Sequence, residues 1–502
     1  MIAITYTGSL WGLCSQLITV EVDLQSNIPS FNTVGLPDGM IKESKERIKA
    51  ALQNSGLSYP QRRIVVNLAP ADLRKEGSTF DLPITIGILA AHKKIPLSSL
   101  QNTLFIGELS LTGQVKPVQG ILSHLLMAKK QRMTRVIMPL ENLKEASLFD
   151  DIEILGVESL LEAVSFLQGM CQLTAPLPER FSQESKENVD FSHIVGHEEA
   201  KRVLEIAVAG RHNVFFIGPP GAGKTILAKA VASLLPSLTN EEVLEVLTIR
   251  SVLKKNFITT LNPPFVAPHH TVSYAALCGG GSVPKPGLVT EAHRGVLFLD
   301  EVGEFQKRSL EVLRQVLEER KITVARAAGN NTFPADFLLI MASNPCPCGY
   351  HTHEEISCYC APTQIAKYQS KFSGPLLDRI DLHLHVSAVK KYFQKEKSAP
   401  SSERRERILE AQKFQRKRYE SLSIRYNSQI PSSDILKCCD MDKKSELCLE
   451  TAVKKMNLSH RSFHGVLKVA RTIADLDCAE MIQEKHLLEA LQYRQFKEFS
   501  MH

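Results

Sequence analysis

The sequence NVFFIGPPGAGKT, residues 213–225, determines how the rest of the chain is interpreted. An apolar run with β character, Val214 to Ile217, leads directly into the loop, and a helical pattern follows over 226–235. The loop consists of Gly218, Pro219, Pro220, Gly221, Ala222, Gly223, Lys224 and Thr225. This is the G-x-x-x-x-G-K-[ST] phosphate loop in the strand–loop–helix context that the motif requires. Backbone N–H groups surround the phosphates, Lys224 reaches them, and the Thr225 hydroxyl binds Mg²⁺, so the sequence predicts a site for ATP and Mg²⁺.

A second apolar strand ends in two acids. Residues 295–301 read GVLFLDE, the pattern of a buried parallel strand that delivers its last residues to the sheet edge where ligands bind. Asp300 is predicted to hold the Mg²⁺ shell, and Glu301 to polarise the attacking water as general base. A third strand, FLLIMASN (337–344), ends in Asn344, whose amide is predicted to orient that water; a turn-forming Asn is the alternative. Together these residues predict a hydrolytic P-loop enzyme.

Composition sets limits on the remaining interpretation. The 502 residues suggest roughly three domains, and 43% hydrophobic and 23% charged residues are ordinary for a soluble protein. A formal net charge of +6 permits a polyanionic partner without requiring one. The N-terminus lacks a signal-peptide pattern, and no apolar run approaches the ~20 residues of a membrane span. We therefore expect a cytoplasmic protein with no membrane contact.

Four cysteines lie close together in the sequence. They form two C-x-C pairs: Cys346 and Cys348, then Cys358 and Cys360. Such a cluster favours a structural Cys₄ Zn²⁺ site, in which either His351 or His353 could replace one thiol. A reduced loop without metal and a redox switch are the alternatives. A catalytic zinc is not expected, because four protein ligands leave no open coordination position.

Residues 1–170 alternate short strands and helices, which predicts an α+β or α/β layer. The segments EVDLQSNIPSFNTVGLPDGMIKESKERIKAAL, KEGSTFDLPITIGILAA and FIGELSLTGQVKPVQGI resemble the Lon-protease-like (S5-like) fold. More closely, they resemble the version found at the front of ComM/YifB-type magnesium-chelatase-like AAA+ ATPases. Lon proteases use a Ser–Lys pair, but Thr79 stands at the serine position here and Leu122 at the lysine position. We therefore expect a packing or nucleic-acid-contacting module and no protease.

The resemblance covers nearly the whole chain and implies an α/β AAA+ P-loop core with a helical lid. In SGPLLDRIDLH (373–383), Arg379 matches the arginine finger, which acts on the nucleotide of a neighbouring subunit and implies a ring, usually of six. A helix-end salt bridge from Arg379 to Asp378 or Asp381 is the alternative.

The lid is predicted from helical patterns over 430–496. Within it, LSHRSFHGVLKVARTIADL (458–476) resembles the second-sensor helix, which places Arg461 in the first turn and near the γ-phosphate. Arg471 is the second choice for this role. A solvated helix face at Arg461 is the alternative.

Two further segments resemble the inserts of magnesium chelatases and MCM-type helicases. The first, PFVAPHHTVSYAALCGGGSVPKPG (264–287), resembles the insertion in the second helix; the second, RKITVARAAGNNTFPADF (320–337), resembles the hairpin before the first sensor. Lys285, Lys321 and Arg326 are the DNA-contact candidates, because a cation on a mobile loop neutralises phosphate without reading sequence. Each of them taken singly is more often a solvated surface residue.

A basic helical run from Arg404 to Arg418 is interpreted as a charged connector, with a DNA-contacting arm as the alternative. The predicted order is a Lon-like domain without its dyad (1–170), a linker (171–190), the AAA+ core with the Cys₄ cluster (191–390), the basic connector (391–429) and the lid (430–502). The resemblance implies a hexameric, ATP-driven helicase or translocase that acts on single-stranded or branched DNA and promotes branch migration during DNA uptake and recombination. A magnesium-chelatase-like motor and a protein-remodelling ATPase are the alternatives.

Overall fold

A computed structural model describes most of the chain. The described residues are 2–73, 75, 77, 79–177, 189–255, 260–281, 284–326, 329–351, 353, 355–388, 399–422 and 424–494. Much of the predicted linker, the first part of the predicted connector, Ser78 in the Lon-like nucleophile segment, the Arg326 side chain and the end of the predicted lid lie outside this set. Within it, no helix combines the length and the apolar character needed to cross a membrane.

The front region, residues 2–177, combines one large sheet with helices. Its strands are β1 (Ile2–Trp11), β2 (Cys14–Gln25), β3 (Ser30–Val34), β4 (Arg63–Ala69), β5 (Thr103–Phe105), β6 (Glu108–Leu109), β7 (Val115–Lys116), β8 (Arg135–Pro139) and β9 (Glu153–Val157). Its helices are α1 (Gly39–Asn54), α2 (Asp81–Ala91), α3 (Ile121–Lys130), α4 (Leu143–Ala146) and α5 (Leu160–Leu167).

The seven-stranded front sheet has the order β3-β4-β2-β1-β5-β8-β9. β1, β2 and β4 are successively antiparallel, whereas β5, β8 and β9 run parallel to one another and to β1. Helix α2 is buried along its whole length, because ten of its residues are uncharged and its first, Asp81, is paired with Arg47 at 2.8 Å. The result is the mixed α/β layer that the sequence predicted.

The ATPase core follows in residues 189–388. Its helices are α6 (Glu198–Gly210), α7 (Lys224–Ala230), α8 (Asn240–Val252), α9 (Tyr274–Cys278), α10 (Leu288–Glu291), α11 (Lys307–Glu319), α12 (Pro362–Gln369) and α13 (Gly374–Leu377). Its strands are β10 (Val214–Ile217), β11 (Phe265–Val266), β12 (Gly279–Gly280), β13 (Lys285–Pro286), β14 (Val296–Leu299), β15 (Lys321–Arg326), β16 (Gly329–Pro334), β17 (Leu338–Ser343) and β18 (Leu382–His385).

The core sheet is parallel throughout, in the order β11-β14-β17-β10-β18. Every residue of β10, β14 and β17 is buried, as expected for strands covered by helices on both faces. The two strands predicted to end in the acid pair and in Asn344 are therefore adjacent, and β17 lies between β14 and the strand that precedes the phosphate loop. The predicted hairpin over 320–337 is also present, as β15 paired with β16.

The C-terminal part is helical, as predicted, with α14 (Ser401–Arg418), α15 (Ile435–Cys438), α16 (Lys443–Met456), α17 (His460–Leu476) and α18 (Glu484–Gln492). The basic helix α14 packs on α6. Arg404 is buried there, 3.1 Å from Glu198 and 3.4 Å from Glu205, and at the other end Arg418 contacts Asp475 at 2.5 Å. These buried pairs support the connector interpretation of α14 over a DNA-contacting arm.

The front region packs against the core through α8. Apolar residues of α3, including Ile121 and Leu125, share one buried cluster with Val243 and Leu247 of α8. A backbone bond of 3.2 Å from Gly120 N to Ser251 O closes the same contact. The front region therefore supports the helix that leads into the first insert.

Candidate nucleotide site

The phosphate loop begins where β10 ends. Gly218 has to be glycine, because an added Cβ would lie 2.0 Å from the Val386 carbonyl oxygen. Gly221 and Gly223 have φ of +75° and +81°, a backbone region that favours glycine. Helix α7 then begins at Lys224, so the loop folds as its motif predicts.

Lys224 is turned into its own loop. Its Nζ donates to the carbonyl oxygens of Gly218 at 2.6 Å and Pro219 at 2.8 Å, and to Asn344 Oδ1 at 3.1 Å. Burial of the ammonium group lowers the pKa of Lys224 to about 8, against the raising effect of Asp300 and Glu301. The lysine is thus held on backbone and amide oxygens, and an incoming phosphate would compete with these weaker acceptors.

Thr225 and the acid pair form the opposite side of the loop. Thr225 Oγ1 donates to Asp300 Oδ2 at 2.6 Å, and the backbone N–H of Glu301 donates to Asp300 Oδ1 at 2.9 Å. Oxygen donors of this kind are those that Mg²⁺ prefers. The geometry therefore suits a magnesium ion held between a hydroxyl and a carboxylate beside bound phosphates.

Glu301 stands at the end of β14 in an unusual backbone conformation, with φ of +50°. For a residue other than glycine, this left-handed conformation costs on the order of 1 kcal/mol. It directs the chain into a short turn over Val302–Glu304, while the Glu301 side chain remains 60% exposed. An exposed carboxylate next to a paired one is suited to activating water beside the metal position.

The four clustered cysteines lie next to this site. The sulfur–sulfur distances are 3.3 Å for Cys346–Cys348, 3.7 Å for Cys346–Cys358 and 3.4 Å for Cys348–Cys358, and all four ligand atoms, including that of Cys360, lie within 4.8 Å of one another. A tetrahedral zinc with bonds of about 2.3 Å places its sulfurs about 3.8 Å apart, so the cluster fits the ion. His353 Nδ1 instead accepts backbone N–H groups of the same loop, from Glu355 and Ile356.

The cysteine loop also contacts the phosphate loop directly. A Cβ on Gly349 would lie 2.5 Å from Pro220 Cδ and 3.7 Å from Asn344 Cγ. Because Cys346 is only two residues beyond Asn344, the cluster helps to fix both the asparagine and the loop. Sequence reasoning missed this contact, which depends on tertiary packing.

The two predicted arginines lie elsewhere in the chain. Arg379 precedes β18 and the phosphate loop follows β10; these strands are parallel neighbours, so the two features lie at opposite edges of the sheet. Four residues of strand span roughly 13 Å at about 3.3 Å per residue. Arg379 pairs with Glu318 at 2.8 Å, and Arg461 also pairs with Glu318. The predicted alternative, a salt bridge from Arg379 to Asp378 or Asp381, is thus replaced by one to Glu318.

Arg461 lies in the first turn of α17, as predicted, after the cap Ser459. Its contact with Glu318 shows that, within one chain, it is grouped with Arg379 and away from the phosphate loop. Arg471 has a structural role: it is 1% exposed and is bound to Asp475 and to the carbonyls of Ala479 and Glu480. Burial inside the lid leaves it unable to reach a nucleotide.

The remaining candidates are exposed or buried as their predicted roles require. Lys285 and Lys321 are exposed, each on a two-stranded hairpin. In the front region, Leu122 is fully buried on α3, and Thr79 Oγ1 lies 3.5 Å from the Gly8 carbonyl oxygen. An apolar, buried Leu122 cannot activate a hydroxyl group.

Sequence analysis also missed two residues that contact the predicted machinery. Glu318 joins the two arginines, and His270 lies 3.5 Å from Glu301 through Nδ1 and Oε2. Neither belongs to a motif used in the prediction. For His270, the position just after a strand that neighbours β14 would have been a usable signal.

The fold and the site define an AAA+ P-loop ATPase of the magnesium-chelatase type, a class that uses ATP and Mg²⁺. The family model "Magnesium chelatase, subunit ChlI" matches residues 190–393, and models for "Subunit ChlI of Mg-chelatase" and the "subunit ChlI C-terminal" part match 20–142 and 398–494. The chain belongs to the ComM/YifB family of magnesium-chelatase-like proteins.

Relatives over the full length support this assignment. Competence protein ComM of Haemophilus influenzae is 41% identical over 98% of this chain and 97% of its own length. The YifB protein of Escherichia coli is 37% identical over 100% of this chain and 98% of its own length. Lon protease 2 of Bacillus subtilis is 30% identical over 35% of each chain, in agreement with the Lon-like front fold.

Proposed function

We propose that the protein is a ring-forming, ATP-driven DNA helicase or translocase that promotes branch migration during DNA uptake and recombination. The observation behind this proposal is the division of the site: the phosphate loop and acid pair lie at one edge of the core sheet, and the two arginines lie at the other. A site divided in this way is completed when copies pack edge to edge. Repeated head-to-tail contacts of that kind close into a ring.

Within one chain, the roles follow from the geometry. Lys224 binds the β- and γ-phosphates, Thr225 and Asp300 hold Mg²⁺, and Glu301 polarises the water that Asn344 helps to orient. Bound Mg²⁺ supplies charge neutralisation of the phosphate oxygens. The neighbouring copy supplies Arg379 and Arg461 to the charge that develops on the transferred phosphoryl group.

The edge that would receive the neighbour's nucleotide is strongly basic. A cleft of about 780 Å³ there is lined by Arg211, Arg320, Arg379, Arg461 and Lys468, among other residues. Several guanidinium groups around one cleft suit a polyphosphate, for which arginine forms bidentate hydrogen bonds. A ring of six is the proposed assembly, by resemblance to the AAA+ class.

DNA as the substrate is proposed from family membership and from the two hairpins. Competence protein ComM is the named full-length relative, and Lys285 and Lys321 are exposed on β13 and β15. Backbone contacts of this kind are independent of sequence and sensitive to salt. We also propose structural zinc at the cysteine cluster, because the sulfur positions fit a tetrahedral ion.

The test is the steady-state ATPase rate of the wild type and Glu301→Gln, with no DNA, with single-stranded DNA and with a forked duplex. We expect DNA to raise the wild-type rate, the fork most strongly, and the variant to bind ATP without turnover. No stimulation by any DNA would overturn the DNA motor. Stimulation by an unfolded protein alone would favour a remodelling ATPase.

A further inference from the structure

The side chain of His270 faces the proposed general base as a direct result of strand register. β11 is parallel to β14, with Phe265 opposite Val296 and Val266 opposite Leu297. His270 lies four residues after Val266, and Glu301 lies four residues after Leu297. The two side chains therefore leave the same sheet edge side by side, and His270 Nδ1 lies 3.5 Å from Glu301 Oε2.

His270 is held in place by the segment around it. The ring of His269 stacks on it with centroids 4.1 Å apart, and the backbone N–H of Val272 donates to the His269 carbonyl at 3.0 Å, which closes a turn. The His270 side chain is 30% exposed and that of Glu301 60%, so the contact lies at the mouth of the site. An imidazole at this position can hold the carboxylate aside.

A short path leads from His270 to the first hairpin. Ser273 caps α9 by accepting from Ala276 N at 3.2 Å, and α9 runs directly into β12, which pairs with β13 and its exposed Lys285. Leu277 and Cys278 of α9 are buried in the same apolar cluster as Leu299 of β14. A displacement of the hairpin would therefore be transmitted through α9 to the turn that holds His270.

We propose that His270 is a positioning residue that restrains Glu301 in the idle site, and that a ligand on the β12–β13 hairpin relieves this restraint. The identity of that ligand as DNA rests on the proposed function; the restraint itself does not. While His270 engages Oε2, the carboxylate is directed away from the water beside Asn344 and Lys224. When the turn moves, Glu301 is free to accept the proton of that water.

The test compares three substitutions at this position with one beside it. His270→Ala and His270→Asn remove the reach to Glu301, and His270→Gln keeps a donor of similar length. His269→Ala is the matched control, because it removes the stacked neighbour from the same turn. For each variant, kcat and KM for ATP are measured without DNA and with forked DNA.

We expect His270→Ala and His270→Asn to raise the unstimulated kcat about two- to fivefold, the range for one exposed charged contact, with KM unchanged. Their stimulation by DNA should fall towards one, whereas His270→Gln and His269→Ala should keep the wild-type ratio. An unstimulated kcat at or below the wild-type value for both shortening variants would overturn the proposal, as would an equal effect of His269→Ala. If DNA fails to stimulate even the wild type, the DNA assignment fails, and the unstimulated rates alone decide the role of His270.

Discussion

Arg379 and Arg461 meet on one carboxylate, that of Glu318 on α11. One arginine precedes the last strand of the core and the other begins a helix of the lid, so the Glu318 carboxylate connects the two parts of the molecule. Both guanidinium groups lie on the edge of the sheet opposite the phosphate loop. This grouping indicates that the two arginines act together, on a nucleotide that another copy binds.

Loss of either arginine is therefore expected to impair hydrolysis more than ATP binding. Arg379→Ala should lower kcat by about 10³-fold or more, the range for arginine fingers, with a small change in the Kd for ATP. Arg461→Ala should act in the same direction. Steady-state ATPase assays and equilibrium nucleotide binding measure the two quantities. Lys455→Ala, an exposed lid cation, is the matched control and should leave both unchanged. Full turnover by Arg379→Ala would contradict the account.

The buried ammonium group of Lys224 gives ATP binding a specific pH dependence. Its pKa is lowered to about 8 by burial, so in the empty site the lysine is charged at pH 7 and loses its proton as the pH rises through 8. A bound triphosphate favours the charged form, so binding above pH 8 should weaken and take up a proton. Calorimetry at pH 8.5 in buffers of different ionisation enthalpy measures that uptake. Lys224→Met should bind weakly with no corresponding uptake; the same uptake in this variant would assign it to another group.

Loss of the cysteine cluster should weaken the phosphate loop, because Gly349 packs on Pro220. Purified protein should contain about one zinc per chain, the stoichiometry of one Cys₄ site. Cys358→Ser should lower the zinc content and raise the Kd for ATP. Elemental analysis and nucleotide binding provide the two readouts, with Cys478→Ser, an exposed thiol outside the cluster, as the control. Zinc-free protein with unchanged ATP affinity would show that the loop folds without metal.

The charged contact between α6 and α14 should contribute to stability. Glu205 is 1% exposed and lies 3.4 Å from Arg404 and 3.2 Å from Arg407, so Glu205→Ala leaves buried positive charge without compensation. We expect a loss on the order of 3 kcal/mol in the free energy of unfolding. Denaturant unfolding measures the change, and Glu406→Ala, exposed on α14, should have little effect. Equal stability of the two variants would indicate that α14 is only loosely attached to the core.

Sequence alone identified the parts of the site that are local in the chain. The phosphate loop, Asp300, Glu301 and Asn344 each follow an apolar strand, and parallel pairing brings such strand ends together. The front helix α1 was predicted within one residue at its first end, because Gly56 follows a clear amphipathic repeat. The strand β1 was not predicted, although its register with β2 extends over ten pairs.

The parts that could not be predicted depend on distant contacts. Glu318 and Arg461 are 143 positions apart, and no local pattern identifies such a pair. The packing of Gly349 on Pro220 and the contact of His270 with Glu301 likewise require the folded sheet. Motifs thus identified residues that would touch ATP, whereas the residues that position them were found only from the structure.

The most direct test of the central claim is the ATPase rate of a mixture of two inactive variants, Glu301→Gln and Arg379→Ala. Where a chain with an intact Glu301 meets a neighbour with an intact Arg379, the site is complete, and random mixing in equal amounts restores about a quarter of the interfaces. We predict hydrolysis in the mixture well above the sum of the two separate rates. A rate no higher than that sum would contradict a site shared between copies.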